Sequence, residues 1–499
     1  MQPSIIRHAV CVALALAVLP ALAAAEEPRP PLALHPDNPH YFQWRGRPTV
    51  LVASGEHYGS VVNPDFDYKR YLATISAAGL NFTRLFLGDY VEGPDAFGIV
   101  NNPVAPATGR FLAPWARSRE PGFALGGNKF DLDRWDPAYF ERLHGFMQEA
   151  SRRNVVVEAV FFFVGPGWDQ APLNPRNNVS GTADVGAKGY LSVSGGSVLE
   201  RQEAYARKLA AELNRYDNVF FNLCNEPWFY NQEKPGFVSQ PPAAVKEWIG
   251  RVSEWMVDEE TRLGRRHLLG VDVSNQGTVL TPEDLAGSFR NLSVFTYHYD
   301  ANADSLQLNR GVARSIGFNE TGFNGVKDDA YRTQGWNYLL SGGSLYGNLD
   351  FSFTVGHEDG SDTPRFSSGL YDSGGSPALR GQLAILRSFV DSLPFVHMHT
   401  DDGFVVGGAD AWRALAAPGD AYAVWLPGAG PVEVRLALPP GEWRFEWVDI
   451  LTGAVTAQTA RHDSWATKVR GERRGGGAAL RVFRVGAAGP ARDPGTPPQ

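Results

Sequence analysis

The chain has 499 residues, of which 43% are hydrophobic, and its formal net charge is −8 at pH 7. A single hydrophobic core rarely grows beyond about 250–300 residues, so this length predicts more than one domain. The mild excess of acidic residues disfavours a nucleic-acid partner, whose phosphates would favour a basic face. Beyond the N-terminus no uncharged apolar run reaches the length of about 18 residues that a membrane-spanning helix needs, so none is predicted.

The first 25 residues have the pattern of an export signal. A short basic start precedes an apolar stretch at 10–22, and residues 23–25, Ala-Ala-Ala, form an A-x-A cleavage site. We therefore expect a secreted or periplasmic protein from which this segment is removed, with a retained N-terminal anchor as the alternative. Only Cys224 remains after cleavage, so no disulfide framework is expected.

Apolar, β-rich runs alternate with helical patterns along most of the chain. In chain order, the candidate strands are Thr49–Glu56, Phe82–Leu87, Val155–Phe163, Val219–Leu223, His267–Val273, Val294–Tyr299, Ser315–Asn319 and a run near Tyr346–Phe353. Near-continuous apolar strands are typical of a parallel sheet that is buried on both faces.

Three of the intervening helices begin at recognisable capping residues. Asp136 and Ser376 each precede a proline at the first helical position, and Ser197 with Glu200 has the spacing of a capping box. Apolar residues follow each start at helical spacing.

The alternation of eight strands with helices predicts a (β/α)8 barrel with inserted loops over residues 32–395. A doubly wound sheet is the alternative, but no glycine-rich phosphate-binding motif follows the first strand. The longest insertions, 88–136 and 164–196, follow the second and third strands. Loops after barrel strands build active sites, so we expect these insertions to form cleft walls or lids.

The pattern changes near residue 397. Short alternating strands divided by Gly/Pro turns then predict a small antiparallel β-sandwich over 398–486. Residues 487–499 are rich in Gly, Pro and Ala and are predicted to be disordered.

Two predicted strands end in a carboxylate. The run VFFNLCNEPW (219–228) is apolar until it reaches Asn225 and Glu226, and the seventh strand ends at Glu320 in SIGFNETG. Strands four and seven lie on opposite sides of an eight-stranded barrel, so we expect the two carboxylates to face each other across its mouth. Glycoside hydrolysis requires such a pair: one acid protonates the leaving oxygen, and one carboxylate meets the oxocarbenium-like carbon.

Neighbouring strand ends supply further polar residues. Asn225 is placed to hydrogen-bond a sugar 2-hydroxyl. His298 and either Tyr297 or Tyr299 end strand six beside strand seven, where a donated hydrogen bond would keep a nucleophile ionised. Arg84, on strand two, would supply a fixed positive charge inside the barrel mouth, with a purely structural ion pair as its alternative.

The motif NVFFNLCNEP with a later strand-end glutamate resembles the retaining glycoside hydrolases of the cellulase type, family 5 and its clan-A relatives. The resemblance implies that Glu226 is the acid/base and Glu320 the nucleophile. It also implies that Arg84 is the strand-two arginine of the family and that His298, with a neighbouring tyrosine, is its strand-six pair.

Two positions depart from the family pattern. Trp228 follows the Asn-Glu-Pro motif, and the eighth strand offers Tyr346 and Phe351 where the family has a platform tryptophan. Downstream, YAVWLPGAG and GEWRFEWVDILTG resemble a small β-domain that is often appended to such hydrolases and is named for collagen binding.

His57 and Trp168 are further candidates for substrate contact. His57 lies at the end of strand one, and Trp168 follows strand three, where an indole can stack against a sugar ring. A plain polar rim and simple loop packing are the respective alternatives. The runs HEDGSD (357–362) and HMH (397–399) bring potential metal ligands close together, but neither has a metal-loop spacing, so we predict no metal and no cofactor.

The sequence therefore predicts a secreted retaining glycoside hydrolase that acts on a poly- or oligosaccharide. Retention requires carboxyl groups about 5–5.5 Å apart, against about 6.5–9.5 Å for inversion. The main alternative is a non-catalytic carbohydrate-binding protein on an inactive barrel, in which the carboxylates only accept hydrogen bonds. A much larger separation of the two carboxyl groups would favour that alternative.

Overall fold

The computed structural model describes residues 29–229, 240–367 and 372–486. The predicted signal peptide (1–25) and the predicted disordered tail (487–499) both lie outside these residues. Among the helices of the described segments, none is long and apolar enough to cross a membrane.

Eight parallel strands form the barrel that the sequence predicts. They are β1 (Leu51–Gly55), β2 (Phe82–Phe86), β3 (Val156–Phe162), β4 (Val219–Cys224), β5 (Leu269–Asn275), β6 (Val294–His298), β7 (Ser315–Glu320) and β8 (Leu345–Leu349). Each strand pairs with the next from β2 to β8, and β8 pairs with β1. Nearly every strand position is buried, between the barrel interior and the outer helices, which explains the continuous apolar runs.

In the described segments a main helix follows each strand, and a further short helix lies in the insertion after β3. The helices are α1 (Tyr68–Ala77), α2 (Pro137–Arg152), α3 (Ser197–Leu213), α4 (Ala243–Leu263), α5 (Pro282–Ala286), α6 (Asp304–Leu308), α7 (Asp328–Leu339) and α8 (Pro377–Asp391). The caps at Asp136 and Ser376 are confirmed, since their side chains accept from backbone amides of α2 and α8. The predicted capping box at Ser197 is wrong: Ser197 is already helical, and its hydroxyl accepts from the amide of Ala183 in the preceding loop.

β1 and β2 are the two ends of the hydrogen-bonded sheet. The barrel closes between them mainly through side chains, with one backbone bond from the Asn81 amide to the Val52 carbonyl at 3.3 Å. Asn81, just before β2, donates through Nδ2 to the Val50 carbonyl (2.9 Å) and accepts at Oδ1 from the Val52 amide (3.0 Å). Nearer the mouth, the Tyr71 hydroxyl of the first helix bonds to Thr83 Oγ1 at 2.7 Å and accepts from the Glu56 amide, just after β1, at 3.3 Å. At this seam the Asn81 side chain therefore supplies hydrogen bonds that backbone pairing supplies between the other strands.

A small antiparallel sheet covers the amino end of the barrel. Its strands are Ala33–Leu34, Phe42–Trp44 and Arg47–Thr49. Phe42 and Trp44 pack with inward-facing residues of the barrel strands, among them Phe82 and Phe220. The barrel interior is thus dry and apolar at this end, so the polar chemistry is confined to the carboxyl end.

The two long insertions have structure of their own. Residues 88–136 contain the hairpin Trp115–Pro121 and Asn128–Trp135, and residues 164–196 contain the short helix Gly186–Tyr190. A bridge between Phe130 and Asn178 joins the two insertions. They form a single structured wall on the β2 and β3 side of the mouth.

Two antiparallel sheets follow the barrel, as the sequence predicts. The six-stranded sheet contains, in spatial order, His399–Thr400, Arg413–Ala417, Ala421–Pro427, Gly477–Arg484, Gly441–Val448 and Val455–His462. The three-stranded sheet contains Val405–Gly407, Gly430–Leu436 and Thr467–Arg473. Trp425 of this domain stacks on Trp336 of α7, with ring centroids 5.4 Å apart, so the sandwich packs against the barrel helices.

Replacing Asn81 by alanine should destabilise the barrel seam. The change would leave the buried Val50 carbonyl and Val52 amide without partners, at about 1–3 kcal/mol each. We therefore expect the free energy of unfolding, measured by urea titration with tryptophan fluorescence, to fall by about 2–6 kcal/mol. Asn302→Ala, at an exposed position, is the matched control and should change it by less than about 0.5 kcal/mol. Equal stabilities of the two variants would contradict the seam.

Candidate active site

The two predicted catalytic carboxylates meet at the carboxyl end of the barrel. Glu226 follows β4 by two residues, and Glu320 is the last residue of β7. Both flank the ring of His298, whose Nδ1 lies 3.0 Å from Glu226 Oε1 and 3.3 Å from Glu320 Oε1. A carboxyl oxygen of Glu226 and one of Glu320 lie within 4.8 Å of each other. Both groups can therefore reach the same bond of a substrate.

Glu320 is surrounded by hydrogen-bond donors. Its Oε2 accepts from the Tyr58 hydroxyl (2.8 Å) and from Arg84 Nη1 (2.9 Å). Its Oε1 accepts from the Tyr299 hydroxyl (2.9 Å) and faces His298. Burial alone would raise the pKa of Glu320, but the charge and hydrogen bond of His298, then Arg84 and Tyr58, hold that pKa well below its usual range. The side chain is thus kept as a carboxylate.

Arg84 lies at the centre of the barrel and is almost fully buried. Besides Glu320, its guanidinium pairs with Glu158 (Nε to Oε2, 3.2 Å) and with Asp272 (Nη2 to Oδ2, 3.2 Å). Nη2 also donates to Asn225 Oδ1 at 2.9 Å. The predicted ion pair of this arginine is therefore present, with Glu320 and with the buried carboxylates beneath it, and its role in catalysis stays a prediction.

His298 connects the two glutamates to Asp272. Its Nε2 lies 3.0 Å from Asp272 Oδ2, and its Nδ1 faces Glu226 and Glu320. Burial would lower the pKa of His298, yet the surrounding carboxylates, Glu320 and Asp272 foremost, raise it well above its ordinary value. The ring is thus an imidazolium that places a positive charge between the two glutamates.

Glu226 has a different environment. Its side chain is 12% exposed, and His298 supplies its side-chain hydrogen bond. Burial raises the pKa of Glu226, and the charge of Glu320 raises it further, while His298 opposes the change. One glutamate of the pair is thus biased towards the acid and the other towards the carboxylate.

Below the carboxylates lies a polar layer that the sequence did not predict. Asp272 Oδ1 accepts from Asn222, Thr296 and Asn319, at 2.8, 2.6 and 3.0 Å respectively. Glu158, also within this layer, accepts from the same two asparagines. The available signal was an acidic or amide residue within a strand that is otherwise mostly apolar, as at Glu158, Asn222 and Asp272.

Tyr58 was also missed as a contact of Glu320. It lies in the turn after β1, three residues beyond the strand, where the sequence gives no periodicity to orient a side chain. Of the two strand-six tyrosines, Tyr299 reaches Glu320, whereas the Tyr297 hydroxyl donates to the Thr278 carbonyl away from the mouth. Alternation along a continuing strand would put residues 297 and 299 on the same face. Tyr299 instead lies one residue beyond β6 with a left-handed backbone (φ 53°), which directs its side chain to Glu320.

Asn225 is buried beside Glu226. Its Oδ1 accepts from Arg84, and its backbone amide donates to Phe162, which fixes the side chain at the base of the mouth. Among the described residues, none accepts a hydrogen bond from its Nδ2. This amide group therefore has a donor to offer a substrate.

His57 and Trp168 lie farther from the carboxylates. His57 contacts the edges of Tyr58 and Phe351, and its Nε2 lies 3.8 Å from Glu92 Oε1. Trp168 is 9% exposed and packs on Tyr190, at a centroid distance of 5.5 Å. Within the described segments, no hydrogen bond or ring contact joins Trp168 to either glutamate, so its role in binding sugar stays a prediction.

The departures from the family pattern have structural explanations. Tyr346 points outward, and its hydroxyl donates to the Tyr331 carbonyl of α7, so it is no substitute for a platform tryptophan. Phe351 lies at the mouth, against His57 and Phe323. Trp228 is buried with its ring against His298 at 5.6 Å, so it forms a wall that fixes the imidazole.

Four of the ten non-glycine residues with positive φ in the described segments lie around the mouth. Tyr58, Glu226, Tyr299 and Phe323 have φ angles of 60°, 41°, 53° and 57°, in the left-handed region that side chains rarely adopt. Each such residue costs free energy that the surrounding contacts must offset, and strain of this kind is typical of functional sites.

Glu226, His298 and Glu320 each present a potential metal-ligand atom, and these three atoms lie within 4.8 Å of one another. The same atoms already contact one another in pairs, and Asp272 engages the second nitrogen of the imidazole. A cation there would compete with the imidazolium for both carboxylates.

No protein-family model and no curated protein sequence matches this chain. Its structure, however, is similar to solved structures of glycoside hydrolases. A candidate glycoside hydrolase from Bacteroides vulgatus has a TM-score of 0.62 at 15% identity, over 93% of this chain and 84% of that one. A family 5 glycoside hydrolase from the same organism has a TM-score of 0.60 at 12% identity, over 91% of this chain and 93% of that one.

A third structure, named only as a glycoside hydrolase, has a TM-score of 0.58 at 12% identity, over 92% of this chain and 98% of that one. The matched lengths include both the barrel and the following sheets. At these identities the likeness establishes a shared fold: a (β/α)8 barrel followed by an antiparallel β-sandwich.

Proposed function

We propose that the protein is a retaining glycoside hydrolase that cleaves a poly- or oligosaccharide by double displacement. The observation that carries the proposal is the pair of carboxyl groups with oxygens within 4.8 Å, whose pKa values are displaced in opposite directions. Retaining enzymes place the two groups about 5–5.5 Å apart, whereas inverting enzymes leave room for a water between them. The fold shared with glycoside hydrolases agrees with this assignment.

In the first step Glu226 is the general acid and Glu320 the nucleophile. The raised pKa of Glu226 keeps a proton available for the leaving oxygen, while the lowered pKa of Glu320 keeps a carboxylate ready to attack the anomeric carbon. Asn225 Nδ2, which has no acceptor among the described residues, would donate to the sugar 2-hydroxyl, a contact that strengthens in the transition state.

In the second step Glu226 acts as the base. It accepts a proton from water, whose oxygen attacks the anomeric carbon and releases Glu320 as a carboxylate. Arg84 stays charged and, together with the His298 ring, stabilises that carboxylate as it forms again. The N-terminal pattern of the sequence supports action outside the cytoplasm, and the resemblance of the C-terminal sheets to a collagen-binding module stays a prediction.

A non-catalytic carbohydrate-binding protein is the alternative class. A binding site requires acceptors but has no need to hold one glutamate protonated beside an ionised one. The strain at Glu226 also favours catalysis, since a simple acceptor could be placed without it.

Replacing either glutamate by glutamine should abolish turnover. Glu226→Gln removes the proton donor and should lower kcat/KM on unactivated glycosides by about 10²–10⁴-fold. Glu320→Gln removes the nucleophile and should lower it at least as much. The measurement is hydrolysis of a panel of aryl glycosides and polysaccharides, with product configuration followed by proton NMR.

Glu283→Gln, an exposed glutamate on α5, is the matched control and should leave turnover unchanged. Retention of configuration at the anomeric carbon is the expected stereochemistry. Wild-type turnover in both active-site variants, or a product of inverted configuration, would contradict the proposed mechanism.

Replacing His298 by asparagine should shift the pH profile. The activity falls at low pH as Glu320 becomes protonated and at high pH as Glu226 loses its proton. Because the imidazolium lowers the pKa of both glutamates, its removal raises both, so each limb of the kcat/KM profile should move to higher pH. Limbs that stay in place, or move to lower pH in a folded variant, would contradict the assigned charge of His298.

A further inference from the structure

The two oxygens of Glu320 have different partners. Oε2 accepts from Tyr58 (2.8 Å) and from Arg84 (2.9 Å), and Arg84 also donates to the Tyr58 oxygen at 2.9 Å. Oε1 accepts from Tyr299 and lies 3.3 Å from His298 Nδ1, the atom that also contacts the acid/base glutamate. Oε1 therefore lies on the side of the carboxylate that faces the general acid.

Tyr58 is held in place by the turn after β1. Its backbone is in the left-handed region, with φ of 60°, and its carbonyl accepts from the Phe86 amide at 3.1 Å. The buried Glu56 carboxylate accepts from the Gly59 and Ser60 amides at 2.8 and 3.1 Å, which fixes the same turn. A strained conformation that is secured by several contacts indicates that the position of this hydroxyl is preset.

We propose that Tyr58 is a positioning residue that, together with Arg84, anchors Oε2 of Glu320, so that Oε1 attacks and Oε2 becomes the carbonyl oxygen of the glycosyl ester. The inference rests on the proposed function. In the first step an electron pair of Oε1 forms the bond to the anomeric carbon, and the leaving oxygen takes the electrons of the broken bond and the proton of Glu226. In the second step water forms the new bond, its proton goes to Glu226, and Oε1 regains its electron pair.

The phenol favours the second step. A hydrogen bond to Oε2 stabilises the carboxylate more than the ester, so it stabilises the charge that returns to Glu320 when the ester breaks. Burial, together with the charge of Glu320, raises the pKa of Tyr58 well above its usual value, so the hydroxyl remains a donor. The other groups that face Glu320 are Arg84, Tyr299, His298 and, across the ring of His298, Glu226.

The test is Tyr58→Phe with a dinitrophenyl glycoside of a sugar that the wild type cleaves. Its leaving group needs no proton, so the second step limits turnover. We expect kcat to fall about 10- to 100-fold, because one hydrogen bond to a charged group is lost. KM should fall by a similar factor, so kcat/KM should change little at the pH optimum. Intact-protein mass spectrometry should show accumulated glycosyl-enzyme. The acid limb of kcat/KM should move to higher pH.

Tyr297→Phe is the matched control, because that buried hydroxyl bonds to Thr278 and not to Glu320, and it should leave kcat, KM and the acid limb unchanged. Equal falls in kcat and kcat/KM, with no accumulated glycosyl-enzyme and an unmoved acid limb, would overturn the role of Tyr58. Failure of the proposed function would be distinct, since turnover would then survive Glu320→Gln.

Discussion

The site depends on one buried arginine. Arg84 pairs with Glu158, Asp272 and Glu320 in the middle of the barrel, where an unpaired carboxylate would be costly. The planar guanidinium presents its donors in fixed directions and stays charged, so one side chain fixes the geometry of groups from three strands. The apolar floor beneath this layer excludes water and strengthens each of these interactions.

The different states of Glu226 and Glu320 follow from this arrangement. Glu320 lies within reach of Arg84, His298 and two tyrosine hydroxyls, so its charge is stabilised from both oxygens. Glu226 lies at the edge of the network, with His298 as its side-chain partner, and it faces the negative charge of Glu320. Two chemically identical side chains are thus given complementary roles by their position relative to a few cations.

Periodicity explains why the sequence predicts the barrel and its two acids. A strand buried on both faces is visible as an apolar run, and an acid that ends such a run has to lie at the carboxyl end of the barrel. The inward direction of Arg84 and His298 follows from the alternation of side chains along a strand. The polar residues within otherwise apolar strands, such as Asp272, were the further sequence signal of a polar layer inside the barrel.

Features set by loops and by long-range contacts could not be predicted in this way. Tyr58 reaches Glu320 only because its turn has a left-handed backbone, which nothing in the residue itself dictates. The seam at Asn81 depends on a side chain that takes the place of backbone pairing. The Ser197 hydroxyl accepts from the amide of a loop residue instead of capping its helix. In each case a contact between distant segments overrides the local pattern.

The central claim is that Glu320 is an ionised nucleophile that becomes covalently attached to the sugar. The most direct measurement is mass spectrometry of the protein after treatment with a 2-deoxy-2-fluoro glycosyl fluoride of a cleaved sugar, followed by peptide mapping. Our account predicts one added glycosyl group, located on Glu320. A label on another residue, or an active enzyme that never acquires a label, would contradict it.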